Sequence, residues 1–419
     1  SGSGSVTLDA NSGITVSNSS ISATGGSGFA SGVDGGAASV SLAGGTMVTL
    51  TGGSTLISAT GGVPGGSGDA QGIATINISA AQGAIANTGG LLKVDSATAG
   101  STLTLTARDG IGTTTNPIRL DSDSPDLILN NTGSTGDIAI SVATGNLQID
   151  DVIDTLNMNP TGIYYAKSES GNITLAGAFA PAGDPLLAGQ SVVFSAPAGN
   201  VVFDTGGSIT SGALLKVDAV NISQPGGGSI TTLLDATATG TISLQQAASY
   251  NLGLLQAGTS ITVNSTAGTI NDGNGGSNNI LAPTASLTGA GGIAAAASPL
   301  QTQVSNLTVS AAGGEIGIFN SGNLALGMGS FGGTTAKIQS SGQLRLFRSH
   351  HPDYKDGEQR RDFLYVKDAV EMTLHFAEKA PTAAGLFNLG SGEAHTWLDL
   401  AAAIFGAMGR EPLIEFIDM

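Results

Sequence analysis

The sequence predicts a mainly β chain, with short parallel strands stacked coil upon coil as a β-helix and a small α/β segment at the C-terminal end. Three observations predict this. Short stretches alternate apolar and polar residues, as in SVTLDA from Ser5, TINIS from Thr75, TLTLT from Thr102, SVVFS from Ser191, SITVN from Ser260 and LTVS from Leu307; a period of two marks half-buried strands. Gly, Asn, Asp and Ser clusters separate the stretches and supply turn chemistry. The third observation is self-similarity. LTARDGIGTTTNPI from Leu105, then DLIL, GDIAI and GNLQI, is echoed by LTGAGGIAAAASPL from Leu287, then NLTV, GEIGI and GNLAL. Gly110 and Ile111 correspond to Gly292 and Ile293, Pro117 to Pro299, and Gly136-Asp137-Ile138 to Gly314-Glu315-Ile316; LLKVD occurs at Leu91 and again at Leu214. Such repetition points to a solenoid.

Backbone chemistry selects the solenoid type. Each short strand exposes donors and acceptors that need partners, and stacked coils pair every strand with the coil above and below. Leu, Ile and Val then face inward, Gly and Asn take the corners, and a narrow coil leaves little room for aromatics. At roughly 20 to 25 residues per coil and about 4.8 Å per rung, this part would give about 13 to 17 coils over ~60 to 80 Å. An array of β-sandwiches is the second reading and Gly/Ser-rich disorder the third. A mean hydropathy of +0.20 opposes disorder.

Composition excludes several function classes. There is no Cys among 419 residues, which removes disulfide scaffolds and thiolate metal sites. A net charge of −17 argues against nucleic acid as a partner. No apolar run reaches a membrane span, and no basic start followed by an apolar stretch marks a signal peptide. The chain opens Ser-Gly-Ser-Gly, which reads as a fragment or processed form.

The composition breaks near Ala336, giving a repeat shaft over 1–335 and a segment over 336–419. The first part holds 58 of the 65 Gly and five basic against 19 acidic residues, a net charge of −14; the second holds nine basic against 12 acidic residues, all four His and the single Trp397. In the second part, LRLF from Leu344, DFLYV from Asp362, GLFNLG from Gly385 and IEFI from Ile414 read as strands. Asp368 caps a helix to about Lys379 with Val370, Leu374 and Phe376 on its apolar side. Thr396 caps another carrying Trp397, Leu400, Ile404 and Phe405, which Gly409 stops.

Candidate chemistry in the first part is sparse. Asp150, Asp151 and Asp154 form an acidic cluster of the kind that serves as acid and base in polysaccharide hydrolysis, but no His accompanies it, and a solvated loop or charged strand edge is the simpler reading. GGSGDA from Gly65 and NDGNGGSNN from Asn271 fall short of the calcium-binding nonapeptide and read as turns. Tyr164 and Tyr165 stand three and two residues before Lys167, not the four needed for a reductase Tyr/Lys pair on one helix face, so that reading is rejected. No metal site is predicted.

Two resemblances attach to these residues. The pattern LT…GGIG…NP(I/L)…GDI.I…G.L.L resembles the repeats of filamentous-haemagglutinin-type adhesins. That resemblance implies a right-handed β-helical shaft of an exported bacterial surface protein, an outer-membrane export partner, and a host or surface glycan or protein receptor. In the second part, KIQSSGQLRLFRSHHPDYKDGEQRRDFLYVKDAVEMTLHF, GLFNLGSGEAHTWLDLAAAIF and IEFIDM resemble the C-terminal substrate-binding portion of the ADP-glyceromanno-heptose 6-epimerases, extended short-chain dehydrogenases/reductases that use NADP to invert one carbon of an ADP-linked heptose for lipopolysaccharide. Carried over by position, the resemblance implies that Arg361 contacts the nucleotide-sugar diphosphate and that Phe347, Arg348 and Ser349 line the nucleotide part. Asp362 and Tyr365 are expected to hold structure. The Gly-rich cofactor turn and the catalytic Tyr and Lys have no counterpart, so no catalytic residue and no bound cofactor are expected unless the epimerase reading holds, which would bring NADP.

The expected function is therefore an adhesive shaft fragment, secreted or at the cell surface, with a catalytically incomplete epimerase-like tail. The alternative is a cytoplasmic heptose epimerase with a replaced or artefactually joined N-terminal part. A β-helical carbohydrate-active enzyme is the third reading.

Overall fold

The computed structural model describes every residue except 1, 122–125, 150–153, 180–185, 211, 341–343, 351, 365, 380–384, 386, 408–411, 413 and 418–419. The chain divides into two compact units, Ser1–Gln339 and Ser340–Met419.

The first unit is mainly β, and its strands pair in parallel. One ladder stacks Gly4–Ala10, Ala38–Gly44, Ala74–Ala80, Thr102–Ala107, Asp126–Asn131 and Asp154–Asn157 in chain order. Its register holds residue for residue, so Val40 and Leu42 lie beside Ile76 and Ile78, which lie beside Leu103 and Leu105, then Leu127 and Leu129. All eight are buried. The alternation read from the sequence thus becomes columns of apolar side chains, each worth about 1.5–3 kcal/mol on burial. A second ladder runs from Ser20–Thr24 through Leu56–Thr60, Leu91–Asp95, Ile118–Leu120, Ile138–Val142 and Ile163–Ser168 to Ser191–Phe203, Leu214–Gln224 and beyond. A third begins with Ile14–Ser17, Val48–Thr51 and Ile85–Thr88. The offset between paired residues varies, from 37 (Val48 to Ile85) to 18 (Leu234 to Leu252), wider than the expected 20 to 25 because corner loops differ in length.

The internal repeat has a structural counterpart. Ile111 bridges Ile138 and Ile293 bridges Ile316. In each copy the Ile N–H donates to the carbonyl one rung on, Ile111 to Asp137 at 2.8 Å and Ile293 to Glu315 at 2.7 Å. Gly110 and Gly292 precede the bridges at φ of 109° and 125°, a conformation L side chains avoid.

Two features were not legible as such. The Gly-rich runs near the N-terminus, read as turns, form a direct backbone stack. Gly26 N–H donates to Gly2 (2.7 Å), Gly36 to Gly26 (2.7 Å), Gly62 to Gly36 (2.8 Å) and Gly72 to Gly62 (3.0 Å). A Cβ on Gly25, Gly35, Gly36, Gly62 or Gly72 would run into a neighbouring carbonyl oxygen. The few aromatics do enter the interior, with Tyr164, Phe179, Phe194 and Phe203 following one another at centroid separations of 5.5, 6.2 and 6.2 Å.

Buried amides join the rungs at one corner. Gln246 accepts from the Ile230 N–H (2.7 Å) and from Gln224 Nε2 (3.2 Å), and donates to the carbonyls of Ile230 (3.0 Å) and Ser249 (2.8 Å). The Tyr250 hydroxyl donates to Gln224 (2.7 Å), and its burial pushes the phenol upward. Tyr164 is likewise pushed up to about 12 by burial.

The second unit is small and mixed. Leu344–Phe347 pairs in parallel with Ile414–Ile417, and Arg360–Arg361 pairs antiparallel with His395–Thr396. Two helices form: α1 spans Val366–Lys379, so Asp368 lies within its first turn and not at the cap expected of it, and α2 spans Trp397–Ala407 directly after Thr396. Three expectations are corrected. DFLYV is not a strand over its described residues: the ladder ends at Arg361, residues 362–364 adopt no regular structure and α1 begins at Val366. GLFNLG is not a buried strand: Phe387 and Leu389 are 52% and 42% exposed. The apolar side of α1 is only partly covered: Phe376 stacks on Phe387 at 4.7 Å, while Val370 and Leu374 are about half exposed at 51% and 49%. Periodicity marks the face that needs a partner and says nothing of whether one is present. In α2 the buried pair is Ala401 and Phe405, with Ile404 exposed; Gly409 lies outside the described residues.

Candidate functional site

The candidate residues lie along the segment from Phe347 to Asp362, which crosses the start of α2. Phe347 ends its strand opposite Ile417, and the Arg348 N–H donates to the Ile417 carbonyl at 2.9 Å. The chain then loops, and Asp356 closes the loop: it accepts from the Ser349 N–H at 2.7 Å and from Arg348 Nη1 at 3.0 Å. Phe347, Arg348 and Ser349 therefore form one continuous edge, with Arg348 held by a carboxylate. His350 is exposed on this loop and His351 lies outside the described residues.

Past the loop, the backbone docks on α2. The Gly357 carbonyl accepts from the Leu398 N–H at 3.1 Å, and the Gln359 carbonyl from the Trp397 N–H at 3.3 Å. Gly357 is buried, and a Cβ there would press on Leu398 and Phe416. Thr396 caps α2 as expected: its hydroxyl accepts from the Asp399 N–H at 3.0 Å, and Asp399 accepts from the Thr396 N–H at 2.8 Å. The Thr396 N–H, then the Thr396 hydroxyl, hold the Asp399 carboxyl below its usual range. Arg361 pairs with His395 through the backbone. Its side chain is exposed and, among the described residues, has no ion pair, in contrast to Arg348. An unpaired guanidinium on a fixed backbone is suited to a phosphate or carboxylate ligand.

The Gly-rich turn ahead of α2 is already occupied. Asp362 accepts from the Ser391 hydroxyl (2.5 Å), the Ser391 N–H (3.1 Å) and the Gly392 N–H (3.3 Å). The Ser391 hydroxyl, then the amides, hold its carboxyl below the usual range. Tyr365 lies outside the described residues. The Ser391 and Gly392 N–H groups are thus spent on a side chain, and the first N–H groups of α2 on the Gln359 and Gly357 carbonyls and the Thr396 hydroxyl, so neither set is left for a phosphate. Among the described residues both helices lie in the second unit, so the Gly-rich turns of residues 1–335 join strands and open no helix. Among the described residues no Gly-rich turn leads directly from a strand into a helix, so none of them offers the pyrophosphate cradle NADP needs.

Outside this segment the remaining candidates either serve local structure or lie outside the described residues. Asp150 and Asp151 lie outside the described residues, and Asp154 opens a strand paired with Ile128–Asn131. Asp69 is spent on the Gly32 N–H, and Asp272 on the N–H groups of Asn274 and Gly275 and on Asn279; both serve turns. Tyr165 and Lys167 alternate along the strand Ile163–Ser168, where no helix face exists. Among the described residues no helix is long and apolar enough to cross a membrane.

Comparison with known proteins points to the second part of the chain. The profile of the NAD dependent epimerase/dehydratase family matches residues 334–390. The ADP-L-glycero-D-manno-heptose-6-epimerases of Nitratidesulfovibrio vulgaris strains DP4 and Hildenborough are each 56% identical over 84 residues, 20% of this chain and 26% of theirs. That of Fusobacterium nucleatum subsp. nucleatum is 33% identical over 92 residues, 20% of this chain and 27% of its own. The chain thus spans about a quarter of the length of the curated relatives it matches. No solved structure matches. These matches overturn the adhesive-shaft reading and the secreted, cell-surface role that went with it. Alternating strands with Gly corners are the common requirement of stacked parallel strands, so they encode fold class and not an adhesin. What the chain is similar to, over residues 334–390, is an NAD dependent epimerase/dehydratase.

Proposed function

We propose that the second part, from near Ala336 onward, is the nucleotide-sugar-binding segment of an ADP-glyceromanno-heptose 6-epimerase, joined to a separate β unit formed by the first 335 residues. The 56% identity over 84 residues carries this reading, and the unpaired guanidinium of Arg361 supports it. Arg361 takes the diphosphate of an ADP-linked heptose. Phe347, Arg348 and Ser349 flank the nucleotide, with Arg348 fixed by Asp356 so that it shapes the loop more than it supplies charge. In the relatives' reaction an oxidised nicotinamide nucleotide would supply hydride transfer. Among the described residues none forms its site, and the activity proposed is binding, in the cytoplasm where sugar nucleotides are made. The first unit winds as a right-handed parallel β-helix. Its support is the chain-order stacking of three parallel ladders and the strong preference of parallel crossovers for the right hand.

Calorimetric titration of the full chain with an ADP-heptose tests the binding role. Saturable binding is expected, and Arg361→Ala is expected to weaken it by about 10- to 100-fold, the worth of a charge-assisted hydrogen-bond pair. Absence of binding, or equal affinity in the variant, would refute it.

A further inference from the structure

Arg361 is useful only if its backbone is fixed, and the structure fixes it from both sides. On the N-terminal side the carbonyls of Gly357 and Gln359 receive the first N–H groups of α2. On the C-terminal side stands Asp362, exposed yet gripped by three donors from Ser391 and Gly392. Gly390 completes that grip, since a Cβ there would collide with the Asp362 carboxylate. Residues 362–364 adopt no regular structure. Asp362 is therefore the side chain that ties the end of the Arg360–Arg361 ladder to the turn ahead of α2. The ring of Phe363 lies 5.1 Å from that of Trp397, so disturbance of this turn is reported by the chain's only Trp.

We propose that Asp362 is the positioning residue for Arg361: its clamp on Ser391 and Gly392 aims the guanidinium at the diphosphate. The inference rests on the nucleotide-sugar reading above. An exposed carboxylate that served only its own solvation would not need a Gly beside it and three converging donors. A guanidinium misplaced by an ångström loses much of its worth on a phosphate.

The test uses the full chain and follows Trp397 emission during titration with ADP and, separately, with adenosine. Asp362→Asn keeps the shape but places an amide against N–H donors. It is expected to weaken ADP binding about tenfold, as for a displaced charge-assisted contact, and to leave adenosine binding unchanged. In an Arg361→Ala background, Asp362→Asn is expected to cost nothing further for ADP. Gly390→Ala, which displaces the same carboxylate, is expected to reproduce the effect, and Ser391→Ala to give a weaker version should Asp362→Asn fail to fold. Equal loss of ADP and adenosine binding would mean a general structural role and would overturn the inference. Unchanged ADP affinity in Asp362→Asn would overturn it alone. Failure of the unsubstituted chain to bind ADP would overturn the nucleotide-sugar reading and this inference with it.

Discussion

Replacing Gly36 with alanine is expected to destabilise the N-terminal third of the first unit by about 3–5 kcal/mol, among the larger effects a single methyl can have. The added Cβ would meet the Gly2 carbonyl oxygen and lie 2.8 Å from the Gly26 nitrogen. Relief requires the segments to separate, which breaks the bonds from Gly36 N–H to Gly26 and from Gly62 N–H to Gly36. These segments pack backbone to backbone, so no flexible side chain can yield. Gly72→Ala is expected to behave alike, because its Cβ would strike the Gly36 carbonyl. Gly53→Ala is the control: nothing lies within 4 Å of its Cβ, and its backbone needs no positive φ, so a change within about 0.5 kcal/mol is expected. A stack of repeats need not unfold in one step. Hydrogen exchange at residues 25–72, read beside a denaturant midpoint, is the suitable measurement.

Gln246→Leu is expected to cost about 3–6 kcal/mol although it removes a polar group from the interior and adds an apolar one. The amide satisfies the N–H and carbonyl of Ile230, the Ser249 carbonyl and the Gln224 amide. Leucine of similar volume leaves these groups buried and unpaired. The neighbouring Gln245→Leu makes the contrast: Gln245 is exposed and only accepts from Asn264 Nδ2 at 3.2 Å, so about 0.5 kcal/mol or less is expected. Denaturation of the two variants side by side separates partner loss from hydrophobic gain.

The strands were legible because alternation is a local signal. TLTLT from Thr102 and SITVN from Ser260 lie in strands whose Leu103, Leu105, Ile261 and Val263 are buried. The long-range echo between Ile111 and Ile293 was legible too, and it marks equivalent bridges. The glycine stack was hidden because Gly serves turns and close backbone contact alike; the recurrence of Gly-Gly at 25–26, 35–36 and 61–62 was the available signal. Gln246 was hidden because a buried amide and a solvated one look identical in a strand of period two. In the second unit, the sequence marked Arg361 through its surrounding motif, but the Asp362 clamp joins residues 29 and 30 apart, a contact no local pattern announces. The half-exposed Val370 and Leu374 show the same limit from the other side.

Hydrogen exchange of the full chain with and without an ADP-heptose tests the central claim most directly. Slowed exchange confined to about residues 347–361 and 390–399, with residues 1–335 unchanged, is the expected result. Protection in residues 1–335, or none anywhere at saturating ligand, would contradict it.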